Sequence, residues 1–151
     1  VVYLSMCFGN PYGDPWNLDI VNHWVYKLSE MGVNDISLSD TIGTSNPESI
    51  KSIFNSVLKN HTDIEFGAHL HSDAISWYDK MHSAFQAGCR RFDGAIKGFG
   101  GCPMASNKLV GNMPTEKILS YLNTEKISNN VNSLRFESCY NQSLEIFNKF
   151  H

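Results

Sequence analysis

The chain reads as α/β: successive parallel βα units amounting to about half of a (β/α)8 barrel. Three observations lead there. β-prone apolar runs begin near residues 2, 33, 64 and 90, a recurrence of about 30 residues, the size of a strand with its crossover helix. Each run leads through a polar turn to a helical pattern, and strands separated by helices of this length must pair in parallel. Four such units make half of the roughly 250 residues of a complete barrel.

The first run, Val1 to Phe8, is followed by the turn-rich Gly9-Asn10-Pro11-Tyr12-Gly13-Asp14-Pro15 and a helical pattern from Asn17 to Met31, which Gly32 stops. The second, Val33 to Leu38, ends in Ser39-Asp40-Thr41-Ile42-Gly43. Asn46-Pro47-Glu48 then combines an N-cap, an N1 proline and an early acid ahead of a helix to about Lys59. The third, Ile64 to His69, precedes a helix from Ile75 to Ala87, stopped by Gly88. The fourth, Arg91 to Asp93, enters a glycine-rich loop before a helix opening at Thr115. Residues 1–123 thus form the half-barrel. Residues 124–151 form a polar tail with short helical stretches at Val131 to Phe136 and Leu144 to Phe150, which is given little function.

With 151 residues, 42% hydrophobic and 18% charged, the chain can bury one sizeable core. Its net charge of −3 and lack of a basic run argue against nucleic acid as a partner. Its apolar runs fall far short of the roughly 20 residues that cross a bilayer. Cys7, Cys89, Cys102 and Cys139 show no CxxC pair and no regular spacing, so reduced thiols in a cytoplasmic setting are expected, with a mitochondrial one left open. The opening Val1-Val2-Tyr3-Leu4, without an initiator Met, reads as the interior of a strand and suggests a fragment.

Ligands of parallel α/β folds sit at the carboxyl ends of the strands. Those ends carry Cys7-Phe8-Gly9-Asn10, Asp40-Thr41, His69-Leu70-His71 and the stretch from Asp93 to Gly98-Phe99-Gly100-Gly101-Cys102-Pro103. The two-residue alternation of a strand places His69 and His71 on one face, within reach of one cation; the competing reading is two hydrogen-bonded histidines capping a strand. The glycine loop suits close backbone approach or positive φ. It fails the GxGxxG spacing, which removes a nicotinamide reading. Cys102, in that loop, can act as acid, base or nucleophile. Cys7 has a lesser claim to the pocket, and Asp40 or Asp93 can serve as loop caps.

The combination Ser37-Leu38-Ser39-Asp40-Thr41-Ile42-Gly43, His69-Leu70-His71, Gly98-Phe99-Gly100-Gly101-Cys102-Pro103 and Gly111-Asn112 resembles the 3-hydroxy-3-methylglutaryl-CoA lyase family, from Val1 to about Asn123 and over the carboxyl-terminal half of its barrel. The resemblance implies cleavage of that thioester to acetoacetate and acetyl-CoA, in leucine degradation and ketone-body formation. It implies Mg2+ or Mn2+ held by His69, His71 and Asn112, and proton transfer by Cys102 with Asp40 or His69. Thr41, Asn10, Gly100 and Gly101 are the expected contacts for the acyl-CoA substrate. An Asp ligand and a catalytic Arg would come from an amino-terminal half-barrel, and the complete protein is expected to be a homo-oligomer. Two alternatives stay open: a Claisen-type acyl-CoA synthase of the same superfamily, expected to lack Cys102, and a catalytically silent half-barrel that binds a partner.

Overall fold

A computed structural model describes residues 1–102 and 110–149. Pro103, which ends the glycine-cysteine motif, and Phe150 and His151 at the end of the tail lie outside the described residues. In chain order the elements are β1 (Val2–Leu4), α1 (Leu18–Glu30), β2 (Asp35–Ser39), α2 (Pro47–Asn60), β3 (Glu65–His69), β4 (His71–Ser72), α3 (Trp77–Gln86), β5 (Arg91–Phe92), a 3-10 turn (Ile96–Gly98), β6 (Gly111–Asn112), α4 (Thr115–Thr124) and α5 (Ser133–Phe147).

β1, β2, β3 and β5 form one parallel sheet in that order, so the four expected units stand side by side. The register sorts side chains into rows. Leu4, Leu38, Ala68 and Phe92 are partners along one row and Val2, Ile36 and Phe66 along another, whereas Tyr3, Ser37, Gly67 and Arg91 share the row between them. The apolar rows join Val21 and Val25 of α1, Ile50, Ile53, Phe54 and Val57 of α2, and Met81 and Ala84 of α3 in one core. Full burial of each large side chain there contributes about 1.5–3 kcal/mol. The other face is polar: Ser37 Oγ donates to Asp93 Oδ2 at 3.2 Å, and a Cβ on Gly67 would come within 2.9 Å of both Ser37 Oγ and Arg91 Nε.

Local signals explain the helix limits. Asn17 caps α1 by accepting from the Ile20 N–H, and Asn46 and Ser49 form a reciprocal capping box at α2. Gly32 and Gly88 end α1 and α3 at φ +81° and +106°. In each case the N–H of the next residue reaches back into the last turn, Val33 to Leu28 O and Cys89 to Ala84 O.

Two expectations change. The first strand is three residues long, because Met6 turns at φ +61° and its N–H is taken by Thr41 Oγ1 at 2.8 Å, which ends pairing before Phe8. The two short tail helices are one continuous helix, α5, capped by Asn132. Its middle, Glu137 to Gln142, lacks an apolar period because α5 is largely exposed. It is anchored near its end, where the Phe147 ring stacks on Phe99 with centroids 4.0 Å apart.

Candidate functional site

A pocket of about 310 Å³ opens at the carboxyl ends of the strands. Its wall combines Tyr3 and Ser5 at the end of β1, Ser39 and Thr41 at the end of β2, His69 and His71, Asn112 of β6, and Gly101 with Cys102. Sequence positions from 3 to 112 meet there because every parallel strand delivers its last residues to the same edge of the sheet.

The two histidines reach the pocket by a route that strand alternation does not describe. His69 ends β3 of the parallel sheet; the ladder breaks at Leu70, and His71 belongs to β4, which pairs antiparallel with β6 so that His71 and Asn112 are register partners. The rings stand edge to face, centroids 5.3 Å apart. His71 is buried, and its Nδ1 lies 2.7 Å from the Asp40 carbonyl. A carbonyl can only accept, so Nδ1 carries a hydrogen, and of the two neutral tautomers this contact selects the Nδ1–H form, in which the lone pair is on Nε2. Asn112 donates from Nδ2 to Phe99 O at 2.9 Å, which leaves Oδ1 as the accepting atom.

His69 Nδ1 lies 3.4 Å from Asp93 Oδ2, within ion-pair range but too far for a hydrogen bond. Burial, with neighbouring His71 as a smaller cause, lowers the His69 pKa from its ordinary 6.5, partly opposed by Asp93. The ring is therefore neutral near pH 7 and able to donate a lone pair. Ser39 Oγ and His69 Nδ1 are buried without a hydrogen-bond partner among the described residues, which suits a pocket that takes a polar ligand. Two imidazoles and an amide oxygen fit a divalent cation. Among the described residues no group of three His, Cys, Asp or Glu side chains converges, so a third protein ligand here would have to be Asn112.

Three expected site residues, Asp40, Asn10 and Gly100, are not among those lining the pocket. Asp40 is fully buried, and its carboxylate is spent: Oδ1 accepts from Ser45 N–H at 3.0 Å, while Oδ2 accepts from the Ser45 hydroxyl at 2.5 Å and from Lys80 Nζ at 3.0 Å. So enclosed by donors, this carboxylate anchors its surroundings, and it is not among the groups lining the pocket. Asn10 turns inward on its own loop, accepting from Tyr12 N–H and Asp14 N–H and donating to Asp14 O, so its side chain is not among those lining the pocket. Cys7 is buried, donates to Leu4 O and is pushed up to about 12 by burial, which removes it as a nucleophile; Cys89 is pushed up to about 12 in the same way.

The glycine loop meets its expectation with a specific cause. Gly98 at φ +67° has the Asn112 carbonyl 2.6 Å from where a Cβ would stand, and Gly100 at φ +87° has Asn112 Nδ2 at 3.0 Å from the same position. These glycines let the loop close on the strand that presents Asn112. Cys102, half-buried, follows directly and lines the pocket.

Sequence reasoning missed Lys80. Its residue is 4% exposed, on the stripe of α3 that also buries Met81 and Ala84. A lysine on the buried face of an amphipathic helix is the signal that would have found it.

Comparison with known proteins bears on the family and the fold. The HMGL-like family model matches residues 7–141. The hydroxymethylglutaryl-CoA lyase YngG of Bacillus subtilis is 34% identical over 129 residues, 85% of this chain and 43% of that protein. The (R)-citramalyl-CoA lyase of Chloroflexus aurantiacus is 30% identical over 122 residues, 81% of this chain and 38% of the relative. The crystal structure of the Bacillus subtilis HMG-CoA lyase superposes with a TM-score of 0.85 at 32% identity, over 95% of this chain and 48% of its own. The chain spans less than half the length of each.

Proposed function

Since the chain belongs to the HMGL-like family, we propose that it provides the carboxyl-terminal half of a divalent-metal-dependent carbon–carbon lyase that cleaves 3-hydroxy-3-methylglutaryl-CoA to acetoacetate and acetyl-CoA. The observation carrying this reading is the single pocket that gathers His69, His71, Asn112 and Cys102 from three strands and a loop. Mg2+ or Mn2+, held by His69, His71 and Asn112, would supply charge stabilisation for the oxygens that become negative during cleavage.

The remaining chemistry belongs to the side chains. Cleavage needs a group to take the proton of the tertiary hydroxyl and another to reprotonate the acetyl-CoA enolate. The hydroxyl proton goes to His69 where its single lone pair is not given to the cation, and otherwise to a group of the amino-terminal half; burial keeps the His69 ring neutral and its Nδ1 faces Asp93. Cys102 serves the reprotonation, from a loop whose glycines let it fold over the pocket. Thr41 and Gly101 line the space for the acyl group, whereas Asn10 is engaged by its own loop.

The cysteine favours the lyase over a Claisen-type synthase. Substrate choice within the lyases is tested directly by offering the complete protein 3-hydroxy-3-methylglutaryl-CoA and citramalyl-CoA with Mn2+ and following product formation. Preferred cleavage of the first supports the assignment; exclusive cleavage of the second moves it to the other substrate, and cleavage of neither supports a silent partner-binding half. His71→Ala should weaken Mn2+ binding and abolish turnover together. His69→Ala separates that residue's roles: loss of affinity marks a ligand, and loss of kcat at unchanged affinity marks the base.

A further inference from the structure

The buried lysine of α3 is not used by the chemistry above, yet its ammonium group is fully engaged. Lys80 Nζ has three N–H groups and three acceptors: Asp40 Oδ2 at 3.0 Å, the His71 carbonyl at 2.9 Å and the Gly43 carbonyl at 3.2 Å. Those acceptors belong to the end of β2, the loop after it and the first residue of β4. One cation thereby ties three segments of the pocket floor.

Asp40 carries that tie to both histidines through its main chain. Its N–H donates to His69 O at 2.9 Å, and its carbonyl receives Nδ1 of His71 at 2.7 Å. A buried ion pair adds little net stability over an apolar pair of the same volume, so a lysine retained here is better explained by where it holds the backbone. Second partners of ligating histidines fix the tautomer and the aim of the ring. Here the second partner is a carbonyl, and the residue bearing that carbonyl is held by Lys80.

We infer that Lys80 is a positioning residue: by clamping Asp40, Gly43 and the His71 carbonyl, it keeps His71 in the Nδ1–H tautomer with Nε2 turned to the pocket. Its side chain is not among those lining the pocket. The inference rests on the metal-site reading above and extends it by naming what sets that site.

The test uses the complete protein, with Mn2+ alone as probe and long-range 1H–15N spectra of the metal-free protein to read the His71 tautomer. Because Lys80→Met by itself strands a buried carboxylate and endangers the fold, the working variants are the neutral pair Lys80→Met with Asp40→Asn, and Lys80→Arg. The second keeps the charge, but its planar fork cannot meet the same three acceptors. Unaltered protein should show a single Nδ1–H form of His71. The neutral pair should show mixed tautomers and Mn2+ affinity lower by about tenfold or more, the usual scale for removing such a partner, with its thermal midpoint close to the parent; Lys80→Arg should fall between. A purely structural lysine would shift the midpoint and leave tautomer and affinity alone, and that result in either folded variant overturns the inference. So does an Nε2–H tautomer in the unaltered protein. Failure of the unaltered protein to bind Mn2+ overturns the metal reading instead, and the tautomer comparison then still decides the role of Lys80.

Discussion

The two walls of the pocket are held by opposite means. The wall formed by β2, β3 and β4 is fixed by charge and hydrogen bonds in a dry interior: Asp40 is fully buried, Lys80 nearly so, and each polar atom of the pair has a partner. The wall formed by the 3-10 turn, the glycine loop and β6 is fixed by the absence of side chains. Gly98 lets backbone approach the Asn112 carbonyl more closely than a Cβ allows, Gly100 at φ +87° leaves only 3.0 Å between a Cβ and Asn112 Nδ2, and Phe99 is covered by a ring from α5. The first suits a site where histidines must aim at one point. The second suits a loop that must lie close against the strand presenting Asn112.

This contrast breaks most visibly at Asp40. Asp40→Ala leaves the Lys80 ammonium buried without its counter-charge, and unfolding in urea should show a loss of about 3–5 kcal/mol; a loss below about 1 kcal/mol would mean that the wall is not held by this pair. Next in size is Cys102→Ala, which should lower kcat by about 10²-fold or more at nearly unchanged Mn2+ affinity in the complete protein. Full retention of thioester cleavage would reduce Cys102 to a packing residue and remove the feature favouring a lyase over a synthase.

Gly98→Ala sharpens the description of the opposite wall. The new methyl group meets the Asn112 carbonyl at a position of positive φ, so it should destabilise by about 1–3 kcal/mol and weaken Mn2+ binding by displacing the amide ligand. An unchanged melting midpoint and unchanged affinity would show that the loop has room to spare. The smallest effect is the pH dependence at His69. Burial lowers the pKa of this group in the folded state, so the folded chain binds fewer protons than the unfolded chain as the pH drops below 6.5. Its contribution is complete above that pH and is lost as the pH falls through the lowered folded value. In chelator, urea midpoints of the unaltered protein should therefore decline over this interval more steeply than those of His69→Ala; parallel curves would mean that the ring is not desolvated.

Much of the architecture is legible along the chain because its determinants are local. Asn46, Pro47 and Ser49 start α2 whatever surrounds it, Gly32 and Gly88 stop their helices through their own backbone freedom, and alternating Ile36-Ser37-Leu38-Ser39 declares a two-faced strand. α5 reads along the sequence as two pieces because it lacks an apolar stripe, and its anchor, Phe147 on Phe99, is a contact between residues 48 positions apart. The site follows the same division: His69, His71, Asn112, Thr41, Gly101 and Cys102 stand out by type and position, and all six line one pocket.

Sequence alone determined that parallel βα units would gather these polar strand ends at one edge, since strand order and helix crossovers follow from patterns within about 30 residues. Only the tertiary structure decided what each acidic and basic group does there. Asp40 and Lys80 lie 40 positions apart, and their choice of each other over solvent depends on how α3 packs against α2 and β4. Likewise His71 faces Asn112 because β4 leaves the main sheet to pair with β6. Desolvation and register are properties of the assembled molecule: they bury a carboxylate among donors that no local pattern in the sequence announces.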